Sequence, residues 1–266
     1  MEGEEPGGRS MVDLSRSSGL PLWLDVREQD LFLAQPLQRL EPEPQPHRLL
    51  GRQLLEPDAP APEVAYWLFP DVALPTDEGV YREFGMRHNL LLVRPGRAGP
   101  EYAKTRGHVL VRADGSLSPV AYGVVAGRAL FLLQEPPGAP PRDVRCVAAC
   151  PGQKVLVPPG CGVVVVNPGP EAVVLSNLRP AEAWPDHGLY ERLQGAAYYV
   201  VGPEGGVDTR PNRHYGAPLP PLRAELPVQA PELGVTQQIP LYSAFVHQPQ
   251  QFNWLRQAAR AAAGAR

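Results

Sequence analysis

The sequence predicts an all-β fold, and three observations carry that expectation. First, the 266 residues include 34 prolines and 26 glycines. Ordinary usage of the two together is ~12%, and a proline inside a helix costs ~3 kcal/mol. Second, hydrophobic residues make up 43% of the chain and charged residues only 20%, the reverse of the balance that keeps a chain disordered. Third, short apolar segments recur at close spacing, each bounded by Gly, Pro, Asn or Asp, which is the signature of an antiparallel sandwich or barrel. Long amphipathic helices alternating with strands are missing, which argues against a parallel α/β fold.

Taken in order, residues 1–19 read as a disordered tail and residues 20–62 as an N-terminal arm. Two short apolar runs occupy 20–40, and the rest of the arm is punctuated by Pro42, Pro44, Pro46, Pro57, Pro60 and Pro62. Strands are expected in 63–69, 87–96, 107–115, 119–127, 128–134, 142–150, 153–160, 161–169 and 171–180, most of them four to eight apolar or β-branched residues closed by a turn signal. Segments 197–202 and 205–210 form a terminal hairpin around Pro203-Glu204-Gly205. The barrel domain is thus placed at 63–216, followed by a Pro-rich arm from 217. One helix is expected, over 249–263. There Phe252, Leu255 and Ala259 share a face and Arg256 and Arg260 stand one turn apart. Its face suits packing on the barrel or docking of a partner.

Charge and cysteine usage narrow the function classes. The net charge is −3, and the basic residues are nearly all Arg, with Lys104 and Lys154 the lysines. No basic cluster marks a nucleic-acid or anionic-membrane surface. Cys146, Cys150 and Cys161 are an odd set, which does not read as a disulfide framework. Cys146 and Cys150 lack the following His/Cys pair of a zinc site. The acidic, Gly-rich start has no apolar signal region and no run is long enough to span a membrane, so the expected location is the cytoplasm.

The stretch from Leu91 to Pro180 carries the most specific pattern. It holds Thr105-Arg106-Gly107-His108, then Tyr122, Gly127, Leu133 and Gln134. Pro151-Gly152, Val157-Pro158-Pro159, Asn167 and Gly169 follow. This frame resembles the cupin-type glucose-6-phosphate isomerases of archaea and bacteria, and the likeness extends over about 63–215, including Asp186-His187 and Tyr190. The resemblance implies a cupin, a jelly-roll or double-stranded β-helix barrel. It also implies interconversion of glucose 6-phosphate and fructose 6-phosphate, in glycolysis or gluconeogenesis, and a homodimer.

In that family three His and one Glu hold a divalent metal such as Fe, Mn, Ni or Zn inside the barrel. Carried over residue by residue, the ligand positions here are His108, Leu110, Val120 and Val163. One imidazole does not hold a divalent ion tightly, so no metal cofactor is expected. The missing carboxylate at Val120 also removes a candidate base for moving a proton between C1 and C2. His108 is then either a retained barrel histidine or a lone general base, with His88 and His187 as possible sources of a rebuilt site. The candidate substrate-binding set is Thr105, Gly107, Tyr122 and Arg179. The resemblance places Thr105 and Gly107 near the sugar phosphate, though they read equally as strand and turn residues and Tyr122 as core. Arg179 follows the strand that ends at the barrel mouth and reads as a phosphate ligand or a surface arginine. Arg94, Arg97 and Arg106 are further candidates for holding a phosphate. Two functions follow from these residues: an isomerase by resemblance, or a non-catalytic cupin that binds a sugar phosphate or serves as a structural partner.

Overall fold

A computed structural model describes residues 10–37, 40–137, 140–203, 206–216 and 218–258. The N-terminal strands are β1 (Met11–Asp13), β2 (Leu22–Asp25), β3 (Asp30–Leu33) and β4 (Glu43–Pro46), with α1 (Ser15–Ser18) after the first. The barrel strands follow as β5 (Val64–Phe69), β6 (Met86–Val93), β7 (Arg97–Ala98), β8 (Glu101–Tyr102), β9 (Val109–Arg112), β10 (Leu117–Ser118) and β11 (Val120–Ala126). Next come β12 (Ala129–Glu135), β13 (Asp143–Ala149), β14 (Lys154–Val157), β15 (Gly162–Val166) and β16 (Val173–Pro180). The described part of the chain continues through β17 (Ala183–Asp186), β18 (Tyr198–Val201), β19 (Asp208–Pro211) and β20 (Leu222–Glu225). Helices α2 (Glu78–Phe84), α3 (Gly188–Arg192) and α4 (Leu241–His247) lie outside the strands.

The expected strands all form. All but β9 fall in a six-stranded sheet in the order β14-β11-β16-β6-β5-β4 and a four-stranded sheet in the order β15-β12-β13-β20, while β9 pairs with β10 and β17 in a three-stranded sheet. The segment 104–108 runs beside β15 through the bridges Lys104–Val166 and His108–Val163. The fold is the all-β cupin barrel. Its interior is an apolar cluster that includes Leu91, Tyr122, Phe131, Leu133, Val165 and Leu175. The expected hairpin at 197–210 is present as β18 and β19 in antiparallel register; residues 204–205 of its turn lie outside the described residues. Gly127 turns β11 into β12 at a φ of +73°, where a Cβ would meet the Ala172 carbonyl oxygen at 2.4 Å, so this turn requires glycine.

The flanks differ from the sequence expectation. Of the tail read over 1–19, residues 11–13 form a strand and Ser15–Ser18 a helical turn. Ser18 is buried there, and its hydroxyl donates to Leu14 O at 2.8 Å. Residues 1–9 lie outside the described residues. Within the arm read over 20–62, β2 and β3 form a hairpin with β1 at its edge. Within the Pro-rich arm placed from 217, α4 forms, and β20 adds to β13 in parallel.

The helix expected over 249–263 is a 3-10 helix at Pro249–Arg256, and residues 259–266, including Ala259 and Arg260, lie outside the described residues. The physical reason is spacing. Phe252 and Leu255 are both buried and sit three residues apart, and a 3-10 helix stacks i over i+3. Both flanks fold onto their own barrel. Leu14, Leu20, Leu22, Leu24 and Leu31 join Leu241, Phe245, Phe252 and Leu255 in one cluster over the outer face of β6, β11 and β16, against Leu90, Leu92, Ala121, Val174 and Leu178.

Candidate functional site: the barrel mouth

Strand alternation decides which side chains enter the barrel. On β6 and β16 the inward row runs Val93, Leu91, Asn89, Arg87 beside Val173, Leu175, Asn177, Arg179, in matched antiparallel register. Val93, Leu91, Val173 and Leu175 belong to the interior cluster. The two asparagines interrupt it, and Asn89 Nδ2 donates to Asn177 Oδ1 at 3.0 Å. Arg87 and Arg179 close the row at one end of the barrel. On β11 the inward row is Val124, Tyr122, Val120, with Tyr122 level with Asn177.

His108 stands beside Tyr122. The Tyr122 hydroxyl lies 3.3 Å from His108 Nε2, and His108 Nδ1 lies 3.2 Å from the Arg106 carbonyl oxygen. The carbonyl can only accept, so Nδ1 carries the proton and Nε2 presents a lone pair. The His187 ring is 5.8 Å from that of His108, centroid to centroid. His187 donates through Nδ1 to Gly107 O at 2.9 Å, which leaves its Nε2 as an acceptor too. Burial, with His187 close by, pushes His108 down to about 4. Burial likewise lowers His187. Both imidazoles are therefore neutral near pH 7.

Arg106 and Arg179 lie close to this pair, and Arg87 stands opposite Arg179 at the strand ends. Arg106 donates to Glu191 Oε1 at 2.7 Å, yet its buried Nε has no partner. Arg179 donates to the carbonyl oxygens of Pro180 and Ala183. Burial and the nearby Arg87 depress its pKa. Arg87 pairs with exposed Asp71 at 3.1 Å. Tyr66 joins from β5; burial lifts its hydroxyl to about 12, with Arg106 beside it acting the other way. The mouth can thus meet an anion with guanidinium groups and hydroxyl donors with imidazole lone pairs.

The positions named from sequence divide into four groups. His108, Tyr122, Arg179 and Arg106 come together. Thr105 and Gly107 serve the frame in this structure. The Thr105 hydroxyl accepts from Val165 N at 3.0 Å and the residue is buried. Gly107 makes room for Tyr190, whose ring a Cβ would meet at 2.2 Å, and its N–H donates to Gln53 Oε1 at 2.8 Å. Arg94 and Arg97 line a separate cavity, described below. His88 does not join His108. It points to the outer face, with Nδ1 donating to Val72 O at 2.9 Å and Nε2 2.7 Å from Ser176 Oγ.

Leu110, Val120 and Val163 are 4%, 1% and 1% exposed and share one apolar cluster with Val157 and Cys161. Among the described residues, no group of three or more His, Cys, Asp or Glu side chains is arranged to hold a metal ion. The cysteines are free, and burial lifts the Cys161 thiol to about 12.

Sequence reasoning missed Asn89, Asn177, Tyr66 and Gln53. For the asparagines a signal existed, because each is a polar residue on the inward register of an otherwise apolar strand. Gln53 had no such signal; it reaches Gly107 from 54 residues away in sequence.

Comparison with known proteins places the whole barrel in a recognisable group. A model of the glucose-6-phosphate isomerase (GPI) family matches residues 59–216. The glucose-6-phosphate isomerase of Thermococcus onnurineus is 31% identical over 123 residues, covering 46% of this chain and 61% of that one. That of Thermococcus gammatolerans is 32% identical over 125 residues, covering 47% and 61%. A putative glucose-6-phosphate isomerase 1 of Rhizobium meliloti is 34% identical over 107 residues, covering 40% and 47%. The chain spans about three fifths of the length of the two Thermococcus relatives. Among solved structures, vicilin from Solanum melongena aligns with a TM-score of 0.35 at 13% identity, covering 46% of this chain and 30% of that one.

Proposed function

The chain belongs to the glucose-6-phosphate isomerase family through residues 59–216, and from that premise we propose a cupin that binds a sugar phosphate at its barrel mouth without performing the family's metal-dependent isomerisation. The observation that carries this reading is the shared burial of Leu110, Val120 and Val163 in one apolar cluster beside His108. At these four positions the family resemblance calls for three His and one Glu. The chain offers one imidazole and three hydrocarbon side chains. That donor set does not fit a divalent ion, which needs several nitrogen or oxygen ligands converging on it. Apolar replacements keep such an interior packed, since a polar group stranded there without a partner costs ~1–3 kcal/mol.

The binding half of the proposal rests on the opposite wall. Arg106, Arg179 and Arg87 supply positive charge at the rim, which suits a phosphate. The neutral His108 and His187 present acceptor nitrogens to sugar hydroxyls. Moving a proton between C1 and C2 needs a positioned base, and Val120 removes the carboxylate there. A cytoplasmic homodimer completes the proposal, with the dimer to be read from light scattering.

The test is a calorimetric titration with glucose 6-phosphate beside a coupled isomerase assay with Fe, Mn, Ni or Zn added. Saturable binding weakened in Arg179→Ala, without turnover, supports the proposal; metal-dependent turnover overturns it. A second reading is favoured by the unprotonated Nε2 of His108, which faces the Tyr122 hydroxyl at 3.3 Å: a metal-free isomerase with His108 as base. Turnover without metal that vanishes in His108→Gln would establish that reading instead.

A further inference from the structure

A second cavity, of about 280 Å³, opens at the side of the barrel where the helical turns of residues 47–54 meet the start of β5 and the end of β6. None of the residues lining it belongs to the mouth. Its floor is apolar, made by Leu50, Leu54, Ala65 and Ala98, all buried members of the interior cluster. Its rim is cationic. The Arg94 guanidinium lies 4.2 Å from the centroid of the Trp67 ring, and that of Arg97 lies 4.2 Å from the Tyr102 centroid.

The charges on this rim are unequal. Arg94 is neutralised by Asp30. Lys104 is neutralised by Glu101 and also donates to Gln53 O at 2.7 Å. Arg97 donates Nη1 to the Gly202 carbonyl oxygen and, among the described residues, has no carboxylate partner. Among the described residues, its other nitrogens have no hydrogen-bond acceptor. Burial, with Lys104 close by, lowers the pKa of His47 on the same wall, so His47 adds a neutral polar edge. The one carboxylate on the lining, Glu63, is exposed.

We propose that this cavity is a second binding site, distinct from the barrel mouth, for a small organic anion with a compact apolar body. The anionic head group, a carboxylate or a phosphate monoester, meets Arg97, held flat by Tyr102. The apolar body lies on Leu50, Leu54, Ala65 and Ala98, where it displaces water from hydrocarbon surface. The guanidinium fork suits both head groups, and pocket size limits the body to about one ring or a short branched chain. The site joins the family region to residues 47–54, which lie outside it.

Benzoate and phenyl phosphate are the probes, titrated into the full chain by calorimetry, with acetate as the head group without a body. Benzoate, phenyl phosphate or both should bind at least tenfold more tightly than acetate, and which of them binds fixes the head group. Arg97→Gln should weaken the bound probe at least tenfold with an unchanged melting temperature. Arg179→Ala and an excess of glucose 6-phosphate should leave it unaffected. If Arg97→Gln lowers the melting temperature, Ala98→Val, which narrows the floor without touching charge, should weaken the probe instead. The proposal is overturned if neither probe binds, if binding is indifferent to both substitutions, or if Arg179→Ala or glucose 6-phosphate abolishes it.

Discussion

Two histidines with depressed pKa values differ in setting: His88 lies on β6 of the six-stranded sheet, and His108 bridges to Val163 on β15 of the four-stranded sheet. His88 points outward into the cluster made by the terminal segments, where Val72 O and Ser176 Oγ use both ring nitrogens. Tyr242 packs edge-on at 5.1 Å between centroids. His108 points inward beside Tyr122, His187, Arg106 and Arg179. Burial drives both to about 4, so their titration does not tell them apart. Partners do. The outer histidine is fully satisfied by protein, whereas the inner one keeps neighbours that can turn to a ligand. A perturbed pKa therefore does not mark a site by itself; the groups around the histidine decide.

The comparison can be strained from the outer side first. Phe245 is fully buried against Tyr81, Phe84 and Phe252. Phe245→Ala should cost ~3–5 kcal/mol, read as a lowered denaturation midpoint. A loss below ~1 kcal/mol would mean that the C-terminal segment does not hold the outer face.

The histidines themselves come next. His88→Ala leaves a carbonyl and a hydroxyl unpaired in the core and should cost ~2–3 kcal/mol, while binding of glucose 6-phosphate by the folded fraction stays unchanged. His108→Ala should reverse that order, with a smaller stability loss and binding weakened at least ~10-fold. Equal effects on binding would erase the distinction.

The pH dependence tests the burial that the two share. His88 has a folded pKa of about 4 against an ordinary value of 6.5. The unfolded chain therefore takes up the proton first as pH falls. Stability present above pH 6.5 is lost between 6.5 and 4, at up to ~1.4 kcal/mol per pH unit for this group. His88→Gln should flatten that slope in a denaturation series across the same range. The smallest expected effect is at the rim, where Arg179→Ala should weaken glucose 6-phosphate binding ~10-fold without moving the melting temperature by more than a few degrees.

The barrel was legible because its strands are buried on both faces. LLLV in β6 and VVL in β16 are continuous apolar runs, which a half-exposed sheet would not tolerate. The terminal segments were not legible for the complementary reason. Their leucines are spaced by prolines and short turns, and only contact with the back of the sheet decides how they fold. Leu241 and Phe245 form a helical face, but Pro240 and the preceding Pro-rich run hid it. At the mouth, His108 and Tyr122 could be named because they fall in a recognisable frame, and Arg179 because it follows a strand end. Asn89 and Asn177 left a signal that went unread and Arg87 left none, since their pairing appears only when register sets β6 against β16.

The central claim is that the inner wall formed by Leu110, Val120 and Val163 leaves no place for a divalent ion. Elemental analysis of the purified chain after equilibration with Fe, Mn, Ni or Zn tests it most directly. The account predicts far less than one ion per chain, unchanged by His108→Gln. One tightly held ion per chain, lost in His108→Gln, would contradict it.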